Sequence, residues 1–236
     1  YVDHRDLHLS LRRQRQMCIR DRNTNVPGFK KDIHANFGSL YLDREKGIDP
    51  RVFALSDVGA FDNSQGALNP TERPLDLSID GDGFFIVNPK NGNQALSRRG
   101  DLKIDENRIL IDNTGAQILS VDLEPIEVPP FQKISIAKDG IISIQPLNAE
   151  PGQEIIVGQI GTTRGTENVK LVKSLDGFIR TEDGGIPEPD QLSAIVSGFL
   201  ESSNVKSVDQ LVAGIEQSRA YEINVKFITT AKELDE

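Results

Sequence analysis

The sequence predicts a mainly β protein with a long C-terminal α-helix: a twisted antiparallel β domain of many short strands, then one terminal helix. Three observations point there. Between 74 and 182, apolar residues alternate with polar ones or run in short groups, and turn residues such as Asn91-Gly92, Asp139-Gly140 and Asp176-Gly177 separate them. No helical periodicity lies between those groups, which argues against βαβ units. From about Gln191 the period changes, and Val205, Val208, Val212 and Ile215 succeed one another at +3, +4 and +3.

Composition narrows the function classes. The 236 residues include 27 Lys and Arg against 36 Asp and Glu, one Cys and no Trp. A net charge of −9 argues against a phosphate-backbone partner, so nucleic acid is not expected as a ligand. One cysteine cannot form an internal disulfide, and no Cys/His cluster has the spacing of zinc ligands. No apolar run approaches the roughly 20 residues that span a bilayer as a helix, so direct membrane insertion is not expected.

Residues 1–22 differ from the rest. They hold six Arg, three Asp and no Lys, together with the single Cys and single Met. The remaining 23–236 then carry 21 basic and 33 acidic residues. Leu7, Leu9 and Leu11 form no continuous apolar stretch, so the segment does not read as a signal peptide. A basic nucleic-acid arm is conceivable, but the run from Leu9 to Arg22 resembles translated adapter sequence, and 1–22 is read as a non-native, arginine-rich head.

Residues 23–70 are expected to be a turn followed by extended chain with short strands. Val26 precedes Pro27, which disfavours the α region at that point. The stretch is long for a connection and should make contacts outside its own domain. Residues 71–190 are expected to form the β domain. Leu75, Leu77 and Ile79 alternate with Asp76, Ser78 and Asp80, a turn follows at Gly81-Asp82-Gly83, and Phe84-Phe85-Ile86-Val87 is a buried run. Strands are predicted at 102–104, 109–111, 118–121, 134–136, 141–144, 155–160 and 169–172. Residues 191–236 are assigned to an assembly helix over about Ser203–Leu234, with Tyr221, Val225 and Ile228 extending its apolar stripe. Such a thin stripe on so long a helix needs a partner helix; the alternative is an ordinary helix packed on the β domain.

No catalytic constellation stands out. Asp80-Gly81-Asp82-Gly83 invites a calcium-loop reading, but an apolar strand follows where further oxygen ligands would be needed, so a turn is expected instead. His34 is the one histidine of 23–236, which leaves a Ser-His-Asp triad dependent on a residue in an irregular stretch. No phosphate-binding glycine loop or nucleophile elbow is present. No catalytic residue, cofactor or metal is expected, and the chain is read as a non-enzyme.

Three motifs then stand in order: Asn23-Thr24-Asn25-Val26-Pro27-Gly28-Phe29-Lys30, Arg73-Pro74-Leu75-Asp76-Leu77 running on to Asp80-Gly81-Asp82-Gly83-Phe84-Phe85-Ile86-Val87, and Leu200-Glu201-Ser202-Ser203-Asn204-Val205 with Ser218-Arg219-Ala220-Tyr221-Glu222-Ile223-Asn224. Together they resemble the motifs of the axial rod and hook proteins of the bacterial flagellum. The match is most similar to proximal-rod subunits, with distal-rod and hook-type subunits as the runner-up. The resemblance implies a structural rod subunit, assembling helically with itself and with other rod subunits in the periplasm to transmit torque. It also implies passage through the flagellar export apparatus without a cleaved signal peptide. Its implied assembly interface is Pro27, Gly28, Phe29, Asn204, Val205, Val208, Val212, Ile215, Tyr221, Val225 and Ile228. Tyr1–Arg22 departs from the family, because a terminal helix with an apolar stripe is expected there. From the residues alone, a secreted β-domain hydrolase or a monomeric binding module with a docked helix stays open.

Overall fold

The computed structural model describes residues 23–33, 38–41, 52–55, 59–90, 92–147, 152–165 and 169–206. Beyond these it describes 208, 212, 214–216, 218–219, 221–223, 225–226 and 229–230. The readings made for 1–22, His34, Ile228 and Leu234 fall outside the described residues. The chain divides into two compact units, one of 27–204 and one that takes the two chain ends, 1–26 and 205–236.

The unit of 27–204 is built of antiparallel strands. A first pair joins β1 (Gly38–Tyr41) to β2 (Val52–Leu55). Two further pairs reach across the sequence: β3 (Leu68–Pro70) pairs with β17 (Phe199–Glu201), and β4 (Leu77–Asp80) with β16 (Ala194–Ser197). The largest sheet runs β14 (Leu171–Lys173), β15 (Ile179–Thr181), β6 (Ala95–Ser97), β5 (Phe84–Asn88), β9 (Gln117–Ile118), β8 (Leu110–Asp112) and β7 (Leu102–Ile104), and β13 (Thr162–Thr163) also pairs with β5. A three-stranded sheet joins β10 (Phe131–Ile136), β11 (Ile141–Pro146) and β12 (Ile155–Gln159).

The unbroken apolar run of β5 has a direct structural cause. Alternate side chains of a strand face opposite sides, and here both sides are covered. Phe85 and Val87 enter one buried cluster, with Leu77, Ile79, Ile118, Ile142, Ile144 and Ile195. Phe84 and Ile86 enter another, with Leu96, Leu119 and Ile179. The sheet therefore partitions two cores, which is why its central strand reads as continuous rather than alternating. The same holds for β4, where the expected alternation fails: Ser78 is as buried as Leu77 and Ile79, and Asp76 just before the strand is buried too.

Turn chemistry ends the strands. Asp112 Oδ1 accepts from the backbone N–H of Thr114 at 2.8 Å and of Ala116 at 2.9 Å, which folds the link from β8 to β9. Gly140, between β10 and β11, sits at φ +84°. A Cβ there would also stand 3.2 Å from the carbonyl of Ile160, so glycine suits the position twice over.

Two expectations for the C-terminal part need correction. Residues 194–197 and 199–201, grouped in sequence with the terminal helix, are strands β16 and β17. Residues 203–206 are not helical either, and the described helical residues lie between 208 and 230. The cause is a long-range contact. The backbone N–H of Asn204 donates to the carbonyl of Phe29 at 3.2 Å, and its side chain is committed elsewhere, so the chain up to 204 belongs to the β unit and not to a first helical turn. The protein is thus mostly β with helical residues near its C-terminus.

Candidate functional site

The three motifs singled out in the sequence, more than 100 residues apart at their extremes, meet around one buried carboxylate. Glu201 is 2 % exposed, as is Lys30, and Arg98 is 3 % exposed. Lys30 Nζ donates to Glu201 Oε1 at 2.9 Å. Arg98 Nε stands 2.9 Å from Oε2 as an ion pair, though out of line for a hydrogen bond. Two backbone donors complete the group: Gly66 N–H to Oε1 at 3.0 Å, and Gly28 N–H to the carbonyl of Glu201 at 2.8 Å.

Each cation is further tied to backbone. Lys30 Nζ also donates to the carbonyl of Ser64 at 2.8 Å. The Arg98 guanidinium donates to the carbonyls of Gly83 at 2.8 Å and Gly81 at 2.7 Å, and it lies 5.9 Å from the Phe84 ring centroid. The Asp80-Gly81-Asp82-Gly83 turn is therefore closed by an arginine, and two of its carbonyls are taken by that side chain. Burial pushes both cations below their ordinary pKa values, and the charge and hydrogen bonding of Glu201 oppose that shift.

The turn motif itself is shaped by close packing. Gly28 has φ +66°, and a Cβ on it would lie 2.2 Å from the carbonyl oxygen of Arg98, so no other residue fits without moving backbone. Phe29 lies under Lys173, whose Nζ is 3.8 Å from the ring centroid, 2.9 Å from Asp32 Oδ1 and 2.8 Å from the carbonyl of Lys30. Asn204 bridges the entering and leaving chain. Its Oδ1 accepts from Lys31 N–H at 2.7 Å, and its Nδ2 donates to the carbonyls of Asp62 at 2.8 Å and Ser64 at 3.2 Å. Asp62 in turn accepts from the backbone N–H of Ser64 at 2.9 Å, which lowers its pKa.

This arrangement holds distant segments of the chain together. The carboxylate is enclosed and doubly paired, and among the described residues no group of three His, Cys, Asp or Glu could hold a metal ion. Gly28, Phe29 and Asn204 of the residues expected at an interface are engaged inside the β unit, beside Pro27. Val205 is 6 % exposed, so it leaves the exposed stripe predicted for it. Val208, Val212, Ile215, Tyr221 and Val225 are all exposed, Val208 to 70 % and Tyr221 to 67 %. The sequence reading missed the central trio. Lys30 and Glu201 stood inside quoted motifs without a role, and Arg98 was not singled out. Its signal was an arginine directly after the buried strand Ala95–Ser97.

Comparison with known proteins agrees in both position and length. The family described as Flagellar hook protein FlgE/F/G D1 domain matches residues 78–144, and that described as Flagellar basal body rod FlgEFG protein C-terminal matches 196–236. The flagellar basal-body rod protein FlgF of Salmonella typhimurium is 30 % identical over 217 residues, covering 89 % of this chain and 84 % of the relative. FlgG of Borreliella burgdorferi is 33 % identical over 234 residues, covering 89 % and 85 %. FlgG of Bacillus subtilis is 33 % identical over 232 residues, covering 90 % and 86 %. With matches to both FlgF and FlgG across most of its length, the chain belongs to the flagellar basal-body rod protein family.

Proposed function

We propose that this chain is a structural, non-enzymatic subunit of the flagellar rod, in its proximal part, and that it assembles with itself and with other rod subunits through the C-terminal helical segment. The observation that carries this reading is the exposed apolar set Val208, Val212, Ile215, Tyr221 and Val225 on helical residues of a rod-family chain. In an assembled shaft these side chains, continued by Ile228 on a helix reaching about Leu234, form the inner contact layer with terminal helices. The domain of 71–190 forms the outer layer. Pro27, Gly28, Phe29, Asn204 and Val205 serve the interface from within the subunit, by fixing where the two chain ends leave the β unit. Export through the flagellar apparatus without a cleaved signal, into the periplasm, completes the reading.

Burying such aliphatic side chains at roughly 1.5–3 kcal/mol each supplies enough to offset the ordering of a helix on assembly. The test is a Val212→Asp, Ile215→Asp double change in the full-length protein. It should abolish rod assembly and motility, while the β unit keeps its melting behaviour. Normal motility would overturn the interface.

A further inference from the structure

We infer that the β unit of 27–204 folds only as a whole, with Glu201 as its closing group, so that none of it is stable before 193–204 is in place. This stands independently of the assembly reading. The segment 193–204 does not lie along one edge. Ser193 Oγ donates to the carbonyl of Asp82 at 3.2 Å, and Ile195 N–H to Lys138 at 2.8 Å. β16 supplies the ladder partner of β4, and β17 that of β3. Gly198 N–H reaches Asp76 at 2.8 Å, and Ser202 N–H reaches Ala67 at 2.8 Å. Within twelve residues the segment thus ties down the turn after β4, the turn after β10, strands β3 and β4 and the N-terminal motif.

Charge makes this closure obligatory. Lys30 and Arg98 are buried from distant parts of the chain, and the ion pair each makes at 2.9 Å is to Glu201. Asp62 acts on Lys30 from farther off, as do Asp80 and Asp82 on Arg98. Without Glu201, forming the rest of the unit would bury two cations that lack a contacting carboxylate, which is strongly unfavourable. Both stay hydrated until it arrives, and they hold 27–32 and the 81–83 turn apart. Strand β4 then loses its ladder partner β16, and the larger buried cluster lacks Ile195. The fold therefore contains a completeness latch: the part of the β unit made last decides whether any of it is folded.

Native-state hydrogen exchange on the full chain tests this. The wild type, Glu201→Gln and Asn204→Ala are compared at the amides of Gly28 and Gly66 in the clasp, and of Ile86, Leu110 and Ile160 far along the chain, all hydrogen-bonded. The latch requires Glu201→Gln to speed exchange at both sets by one common factor, on the order of 100-fold or more. Asn204→Ala, which spares the charges, should do the same by about tenfold. If Glu201→Gln does not fold, Asn204→Ala decides by the same pattern. Faster exchange confined to 27–32, 64–70 and 193–204, with Leu110 and Ile160 unchanged, would overturn the inference.

Discussion

In the clasp, Lys30, Arg98 and Glu201 are withdrawn from water, whereas in the C-terminal segment Val208, Val212, Ile215 and Tyr221 face it. Each region inverts the ordinary distribution, and the inversions have different meanings. Buried charges persist where the same chain supplies opposite charge and backbone donors at hydrogen-bond distance, so the clasp is complete within one subunit. The exposed apolar residues of the helical segment have no comparable cover among the described residues, and exposed apolar patches of this kind are characteristic of interaction surfaces. The clasp is thus satisfied within the chain, and the exposed residues of the helical segment are those that the proposed association would cover.

Substitutions can break this comparison in order of size. Glu201→Ala leaves two cations buried without their ion pair and should cost about 3–5 kcal/mol, read as a lowered urea midpoint. A cost near zero would mean that the site admits water and is no clasp. Gly28→Ala forces a left-handed residue against the carbonyl of Arg98 and should cost about 2–4 kcal/mol in the same assay. Lys173→Met keeps much of the packing on Phe29 but loses the ring contact and the pair with Asp32, for about 1–2 kcal/mol. On the other side of the comparison, the Val212→Asp, Ile215→Asp change should move monomer stability by no more than about 0.5 kcal/mol. A larger loss would assign those residues to the subunit's own fold.

A pH series sharpens the picture at its smallest effect. The Ser64 backbone N–H holds the Asp62 carboxyl below its ordinary value of 3.8. A depressed folded-state pKa means that the contribution is fully present above about pH 3.8 and is lost as pH falls through the lower, folded value. Urea midpoints of wild type and Asp62→Asn should therefore differ near neutral pH and converge in acid. A gap that stays constant with pH would remove the carboxylate from the account.

How far the fold was legible depends on the range of the forces involved. Strand β7 at Leu102–Ile104 was read at its bounds, because its apolar residues and flanking turns are local. Strands β16 and β17 were missed. Ala194–Ser197 and Phe199–Glu201 are short, and their partners lie over 100 residues upstream, so nothing nearby in sequence announces them. The helix start was placed too early for a related reason. Ser203-Asn204 directly precedes the helical spacing that starts at Val205, yet Asn204 spends its side chain on Lys31, Asp62 and Ser64.

By itself the sequence determined the β class, the turn positions, the change of period near the C-terminus and the three motifs that mark the rod family. These rest on period, on the conformational demands of Gly, Asn and Pro, and on residue identity, all of which act over a few positions. Only the tertiary structure decided that the motifs share one carboxylate, that β5 separates two cores, and that Val205 is buried while Val208 is exposed. Those outcomes depend on which distant groups arrive beside one another, since the energy of a buried charge is set by its neighbours in space and not by those along the chain.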